Sequence, residues 1–330
     1  MVRLKKFLSC CDGREPYTLK KINPIDAILQ EHSLIIVDGA MATELETQGC
    51  NLDDPLWSAS VLLENPQMIY QVHLNYFRSG ADCAITASYQ ATVEGFAKRG
   101  LQEEEALELI KKTVVLAKSA RDDFWQEDPQ SDRPKPLVAA SVGPYGAFLA
   151  DGSEYVGNYG VSDQVLRDFH RQRMAVLIEA GADILAFETI PSLQEAKVLI
   201  SLLQEFPGTY AWLSFSLKDE CSISEGTVLQ ECAKLVNECE QIAAVGFNCA
   251  PLDYVTGAIS NLKSYTDKPI IVYPNSGETY DPETKTWHGQ ESCHTLEAKS
   301  KEWYEAGARL IGGCCRTSPK DIKAVAGTWR

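Results

Sequence analysis

Three cysteines are placed so that one metal ion could join them. Cys249 closes the apolar run Gly246-Phe247-Asn248-Cys249, and Cys314 with Cys315 closes a later one, Arg309-Leu310-Ile311-Gly312-Gly313-Cys314-Cys315. Three thiolates on zinc leave a fourth position open, which is the arrangement of a catalytic rather than a structural site. A soft, sulfur-rich site with an open position suits a substrate that is itself a thiol. Neighbours on an extended strand point to opposite faces, so both sulfurs reach one ion only if the chain bends. Gly312-Gly313 would supply that freedom. Two readings compete: inert core thiols, or a Cys314–Cys315 disulfide, which is geometrically poor between adjacent residues.

Other candidate chemistry is thin. His32, His73, His170, His288 and His294 form neither His-x-His nor His-x-x-x-His, and no Gly-x-Ser-x-Gly elbow or Walker A phrase occurs. A histidine-based zinc hydrolase is therefore poorly supported. A hydrolase with water on a three-thiolate zinc stays open as a different class, although three thiolates make bound water a weaker acid and no general base stands out. A binding barrel with structural zinc would need a fourth protein ligand.

The elements that must position these residues alternate. Apolar runs at Leu34–Asp38, Asp82–Ala87, Leu137–Val142, Asp183–Glu188, Tyr210–Ser216, Ile242–Cys249, Ile270–Asn275 and Arg309–Cys314 read as strands. Helical patterns lie between them, including Pro66–Ser79, Glu103–Trp125, Asp163–Ala180, Ser192–Glu205 and Thr227–Glu238. Near-continuous apolar strands separated by helices indicate parallel pairing buried on both faces. Ser79-Gly80-Ala81-Asp82, Ala180-Gly181-Ala182-Asp183 and Ala306-Gly307-Ala308-Arg309 repeat one phrase, in which glycine stops a helix in the left-handed conformation. Eight such units predict an α/β chain folded as a single (β/α)₈ TIM barrel. The division is an N-terminal tail over 1–24 and the barrel over 25–330. A doubly wound sheet is the alternative, but the turn after the first strand, Asp38-Gly39-Ala40-Met41-Ala42-Thr43, lacks Gly-x-Gly-x-x-Gly. The Pro-rich stretch 127–136 reads as a loop.

In such a barrel the active site lies at the C-terminal ends of the strands. Those ends carry Asp38, Thr86 with Ser88, Ser141, Glu188 with Thr189, Ser214 with Ser216, Asn248 with Cys249, Asn275 with Ser276, and Cys314 with Cys315. Hydroxyls in this ring could merely cap the following helices. Asp38 and Glu188, each ending an apolar run, read as functional.

Composition narrows the partners. The 330 residues carry 46 acidic against 31 basic side chains, a formal charge of −15, which argues against a nucleic acid. The apolar stretch in residues 1–11 is too short for a signal h-region, no segment approaches the ~18 apolar residues of a membrane span, and Val2 excludes N-myristoylation. Cys10 and Cys11 read as part of a tail rather than as acylation sites. Eleven cysteines without framework spacing fit a reducing, cytoplasmic protein in which most are small buried residues.

At VDGAMATELE (37–46), DPLWSA (54–59), TASYQAT (86–92), SVGPYGAFLADGSEY (141–155), FETIPS (187–192), GFNCAP (246–251), VYPNSGE (272–278) and RLIGGCCRT (309–317), the chain resembles the homocysteine S-methyltransferase family. The likeness is to the branch using S-methylmethionine or S-adenosylmethionine, covers about residues 25–326, and includes no appended cobalamin or folate module. It implies a Zn²⁺ cofactor held by Cys249, Cys314 and Cys315. It also implies methyl transfer from a sulfonium donor to homocysteine, giving methionine. Asp38, Thr86 and Glu188 would hold the amino-acid end of homocysteine. Ser88 and Asn248 lie in matching motifs as further substrate contacts. Tyr89 is a candidate face for the sulfonium, with Trp57, Tyr145, Tyr155 and Trp287 in or near rim loops. Betaine as donor is the runner-up. The choice between S-methylmethionine and S-adenosylmethionine, between homocysteine and selenocysteine, and the oligomeric state are not legible in the sequence.

Overall fold

The computed structural model describes residues 22–52, 56–127, 132–277, 279–281, 286–288 and 295–330. Seven strands enter one sheet before a short hairpin: β1 (Ile35–Ile36), β2 (Cys83–Ile85), β3 (Leu137–Val142), β4 (Ile184–Ile190), β5 (Ala211–Phe215), β6 (Ile242–Asn248) and β7 (Ile270–Tyr273). The hairpin pairs β8 (Thr279–Asp281) with β9 (Thr286–His288), and β10 (Ala308–Ile311) completes the sheet. The order is β1-β10-β7-β6-β5-β4-β3-β2 with every pairing parallel, and a parallel bridge from Val37 to Cys83 joins the two ends. The strands therefore close into the (β/α)₈ barrel expected from the sequence; the hairpin was not expected.

Alternation along each strand builds two cores. Ile35, Val37, Cys83, Ala139, Ile184, Ala186, Trp212, Ala244, Ile271, Tyr273 and Leu310 fill the barrel interior. Ile36, Val138, Ala140, Leu185, Phe187, Leu213 and Val245 face the other way, under the surrounding helices. A helix that sequence periodicity did not single out, Pro24–Leu29, drives Ile25 and Ile28 into the interior cluster and plugs the floor.

The five expected helices appear as Pro66–Arg78, Glu103–Glu127, Asp163–Glu179, Leu193–Leu203 and Leu229–Asn237. The repeated exit phrase behaves as read: Gly80, Gly181 and Gly307 have φ of 110°, 83° and 126°. No helix among the described residues is long and apolar enough to cross a membrane. The tail over 1–21, with Cys10 and Cys11, lies outside the described residues, as do His294 and the side chains of Trp57, Trp287 and His288.

Candidate active site

The sulfurs of Cys249, Cys314 and Cys315 lie within 4.8 Å of one another. Cys249 directly follows β6 and takes φ +48°, uncommon for a side-chain-bearing residue. Its N–H donates to Tyr273 O at 3.2 Å, tying it to the end of β7. Cys314 and Cys315 stand three and four residues beyond the end of β10, not on the strand itself. Cys314 N donates to Pro274 O at 2.8 Å, Cys315 O accepts from Ser276 N at 3.1 Å, and Thr317 Oγ1 donates to Cys314 O at 2.6 Å. The bend needed to aim both sulfurs the same way is thus a turn fastened to the exit of β7. The two glycines act through a different property from the one expected. Neither has positive φ. A Cβ on Gly312 would come within 2.7 Å of Asp38 O, and one on Gly313 within 2.7 Å of the Thr317 side chain.

Cys249 and Cys314 are joined as a disulfide with Cα atoms 5.6 Å apart, and Cys315 is free. The sequence had raised a bridge between adjacent cysteines; the partner of Cys314 is instead Cys249, two strands away across β7. Of the remaining described cysteines, Cys83, Cys232 and Cys239 are buried, Cys50 is half-buried and Cys221 exposed. Cys315 is half-buried by surface area, yet desolvation of its sulfur pushes the thiol up to about 12. A thiolate at that position needs a neighbouring cation, and three soft sulfurs at mutual contact fit zinc by donor chemistry and number.

Two carboxylates share the mouth. Glu188, at 6% exposure, accepts from Ser141 Oγ and from Tyr273 OH at 3.1 Å, and Trp212 Nε1 donates to that phenol oxygen at 3.1 Å. Burial raises its carboxyl from the usual 4.5 to about 7, and the two hydroxyl donors oppose the shift. Asp38, at 3% exposure, accepts from Ile85 N at 3.0 Å. Burial lifts it well above the carboxylate range, with repulsion from Glu188 adding and the Ile85 N–H opposing. Neither acid has an ion-pair partner among the described residues.

Asn248 works within the protein. Its Oδ1 accepts from Thr189 N and from Ser214 Oγ, both at 2.7 Å, and its Nδ2 donates to Thr189 Oγ1 at 2.7 Å. Thr189 has φ +58°, a strained state for a β-branched residue that persists only when its surroundings hold it. One amide thereby steadies the residue after Glu188 and adjoins Cys249. Thr86 Oγ1 accepts from Ser141 N at 3.0 Å and bonds Ser88 Oγ at 2.7 Å, while Ser88 Oγ donates to Ser141 O at 2.7 Å. These hydroxyls lace the ends of β2 and β3 together.

The loop after β3 is held from below by buried polar groups. Glu195 accepts from Tyr145 N at 2.6 Å, Tyr159 OH at 3.0 Å and His170 Nε2 at 2.8 Å. Burial and the adjacent Arg173 lower His170 to about 4, so the ring is neutral, and its Nδ1 accepts from Arg173 at 2.8 Å. Arg173 also donates to Gly143 O. Tyr145 packs its ring against Phe148, Tyr159 and Phe169, which commits it to the loop's own core. Tyr89 is half-buried against Gly143, where a Cβ would lie 2.7 Å from its ring. Sequence reasoning missed Tyr273, Trp212, Arg173 and Glu195. Tyr273 stood in VYPNSGE as the polar-tipped residue of an apolar strand, which was the available signal.

A family model described as homocysteine S-methyltransferase matches residues 35–328. The chain is 60% identical over 306 residues to the homocysteine S-methyltransferase YbgG of Bacillus subtilis (strain 168), covering 92% of this chain and 97% of that protein. It is 52% identical over 304 residues to the homocysteine S-methyltransferase of Escherichia coli (strain K12), covering 92% and 97%. Its fold superposes on the crystal structure of the Escherichia coli homocysteine methyltransferase MmuM, metallated form, with a TM-score of 0.84, 48% identity, and coverage of 92% of this chain and 99% of that one.

Proposed function

Because the chain belongs to the homocysteine S-methyltransferase family, we propose that its methyl transfer to homocysteine uses zinc held by Cys249, Cys314 and Cys315, with a sulfonium as donor. The observation that carries this reading is the gathering of three sulfurs within 4.8 Å at the barrel mouth, beside two buried carboxylates without cationic partners among the described residues. Cys249 and Cys314 must be reduced to serve, which suits a reducing compartment such as the cytosol. When bound, zinc supplies Lewis acidity that keeps the acceptor thiol deprotonated near neutral pH.

The chain's own residues do the rest. Asp38 and Glu188, once ionised, pair with the homocysteine ammonium, which restores the solvation their burial removed. Ser141 and Tyr273 aim the Glu188 carboxylate, and Asn248 fixes the backbone between Glu188 and Cys249. Thr86 and Ser88 set the spacing of the strand ends that flank the substrate. Tyr89 offers an aromatic face to the donor sulfonium, a contact worth roughly 0.5–2 kcal/mol. The donor S–CH₃ bond breaks with its electron pair left on the donor sulfur, and the acceptor sulfur's pair forms the new S–CH₃ bond. In-line approach at about 3–3.5 Å is the geometry this needs. No acid or base is required at the methyl carbon.

The test is a methyl-transfer assay on reduced, zinc-loaded protein, crossing homocysteine and selenocysteine with S-methylmethionine, S-adenosylmethionine and betaine. Turnover of homocysteine with a sulfonium donor is expected. Turnover with betaine alone would overturn the donor assignment.

A further inference from the structure

A third carboxylate stands over the mouth, and none of the roles above uses it. Glu154 lies in the short 3₁₀ turn Ser153–Tyr155 of the loop after β3. The backbone there is closely held. Ser216 Oγ, at the end of β5, donates to Glu154 O at 3.1 Å, and a Cβ on Gly146 would meet Glu154 N at 2.5 Å, so the loop folds tightly on itself. Gln90 Nε2 donates to Ala147 O at 3.0 Å, and Glu195 and Arg173 hold the start of the same loop. On this fixed backbone, Glu154 Oε2 is buried and has no hydrogen-bond partner. Burial pushes the carboxyl above its usual range, a hydrogen bond from its own backbone N–H opposes the rise, and Asp151 adds to it.

Its neighbours place it on the donor side. Glu154, Tyr155 and Glu188 all add to the burial that raises the Tyr89 phenol, and a hydrogen bond to Thr189 opposes the rise. The loop that carries Glu154 meets Tyr89 directly, because Gly143 at its start lies against the Tyr89 ring, and Ser216 Oγ ties Glu154 itself to the end of β5. A buried carboxylate oxygen left without a donor costs free energy that a bound cation would recover. The donor carries two cationic groups, and only one of them persists. The sulfonium charge vanishes as the methyl leaves, so a carboxylate pressed on it would stabilise the ground state over the transition state and slow transfer. The α-ammonium keeps its charge throughout, and a carboxylate there adds uniform binding.

Resting on the sulfonium-donor reading above, we propose that Glu154 receives the α-ammonium of the methyl donor, in a seat separate from the Asp38–Glu188 pair that takes the acceptor's. The donor is then an amino acid as well as a sulfonium, and betaine, which has no primary ammonium, cannot use the seat.

The experiment compares Glu154→Gln with the unmodified enzyme, both reduced and zinc-loaded. Donors are S-methylmethionine and its des-amino counterpart, a dimethylsulfonium with the same carboxylate chain, the latter read as a substrate or as a competitive inhibitor. The expected result is a tenfold or greater rise in KM for S-methylmethionine. The des-amino compound's constant, the KM for homocysteine and kcat should all stay within about twofold. Glu154→Asp should recover part of the loss, and zinc content and Tm confirm that both variants fold. An equal penalty on both donors, a rise in homocysteine KM, a higher kcat, or no penalty would overturn the assignment. Inactivity of the unmodified enzyme with every sulfonium donor would overturn the donor reading and this proposal together. An active enzyme unaffected by Glu154→Gln would overturn the proposal alone.

Discussion

At the floor of the barrel Asp82 is fully buried and meets Arg330 and, at 3.6 Å, Arg133; Asp183 meets Arg121 at 2.9 Å. At the mouth Asp38 and Glu188 are nearly as deep and meet no cation among the described residues. Burial raises the carboxyl at both ends, but at Asp82 the two arginines pull it back, whereas Asp38 and Glu188 repel each other. A fold keeps a buried charge cheaply only by pairing it. The floor is paired because it is structure. The mouth is unpaired among the described residues, and under the proposed function the cation that pairs it is the substrate's ammonium.

The sharpest way to break this comparison is to neutralise acids at both ends. Glu188→Gln or Asp38→Asn should lower kcat/KM for homocysteine by on the order of 100- to 1000-fold, the cost of leaving a buried charge without its partner. Tm should stay equal or rise, because an uncompensated buried carboxylate is gone. Asp82→Asn should do the reverse, losing about 3 kcal/mol of stability in urea unfolding with kinetic constants of the folded enzyme unchanged. Equal stability losses at both ends would erase the distinction.

A pH series sharpens it further. Glu188 titrates near 4.5 when unfolded and near 7 when folded, so the folded protein holds the extra proton between those values. Its contribution to ligand-free stability is then full below about 4.5 and is lost as pH rises toward 7. Homocysteine affinity should move oppositely, rising as the pH passes through about 7 and the carboxylate forms. Glu188→Gln should flatten both slopes. The smallest effect is expected from Ser141→Ala, which removes one donor to Glu188. It should weaken homocysteine binding by about 1 kcal/mol and move the midpoint of the affinity profile upward.

How much was legible in the sequence follows from how local each feature is. Near-continuous apolar runs and the three Ser/Ala-Gly-Ala phrases report backbone geometry within a few residues, and they marked eight strands and the left-handed exits at Gly80, Gly181 and Gly307. Cys249, Cys314, Asp38 and Glu188 were legible because a polar residue ending an apolar strand is conspicuous. Roles set by partners far along the chain were not. Asn248 and Thr189 meet across 59 residues, and Tyr273 reaches Glu188 across 85. Gly312 was noticed for the wrong property, because its crowding by Asp38 exists only once β10 lies beside β1, and the crowding of Gly313 by Thr317 exists only once the turn after β10 has formed. The plug helix Pro24–Leu29 is too short to show a period.

The central claim is that three cysteine sulfurs at this mouth hold the metal on which methyl transfer depends. Its most direct test is zinc content measured with turnover in reduced Cys315→Ser protein beside the reduced parent. The parent should hold about one zinc per chain and transfer methyl to homocysteine. The variant should lose metal and activity together while keeping the parent's fold by circular dichroism. A Cys315→Ser protein with full zinc and full turnover would contradict the account.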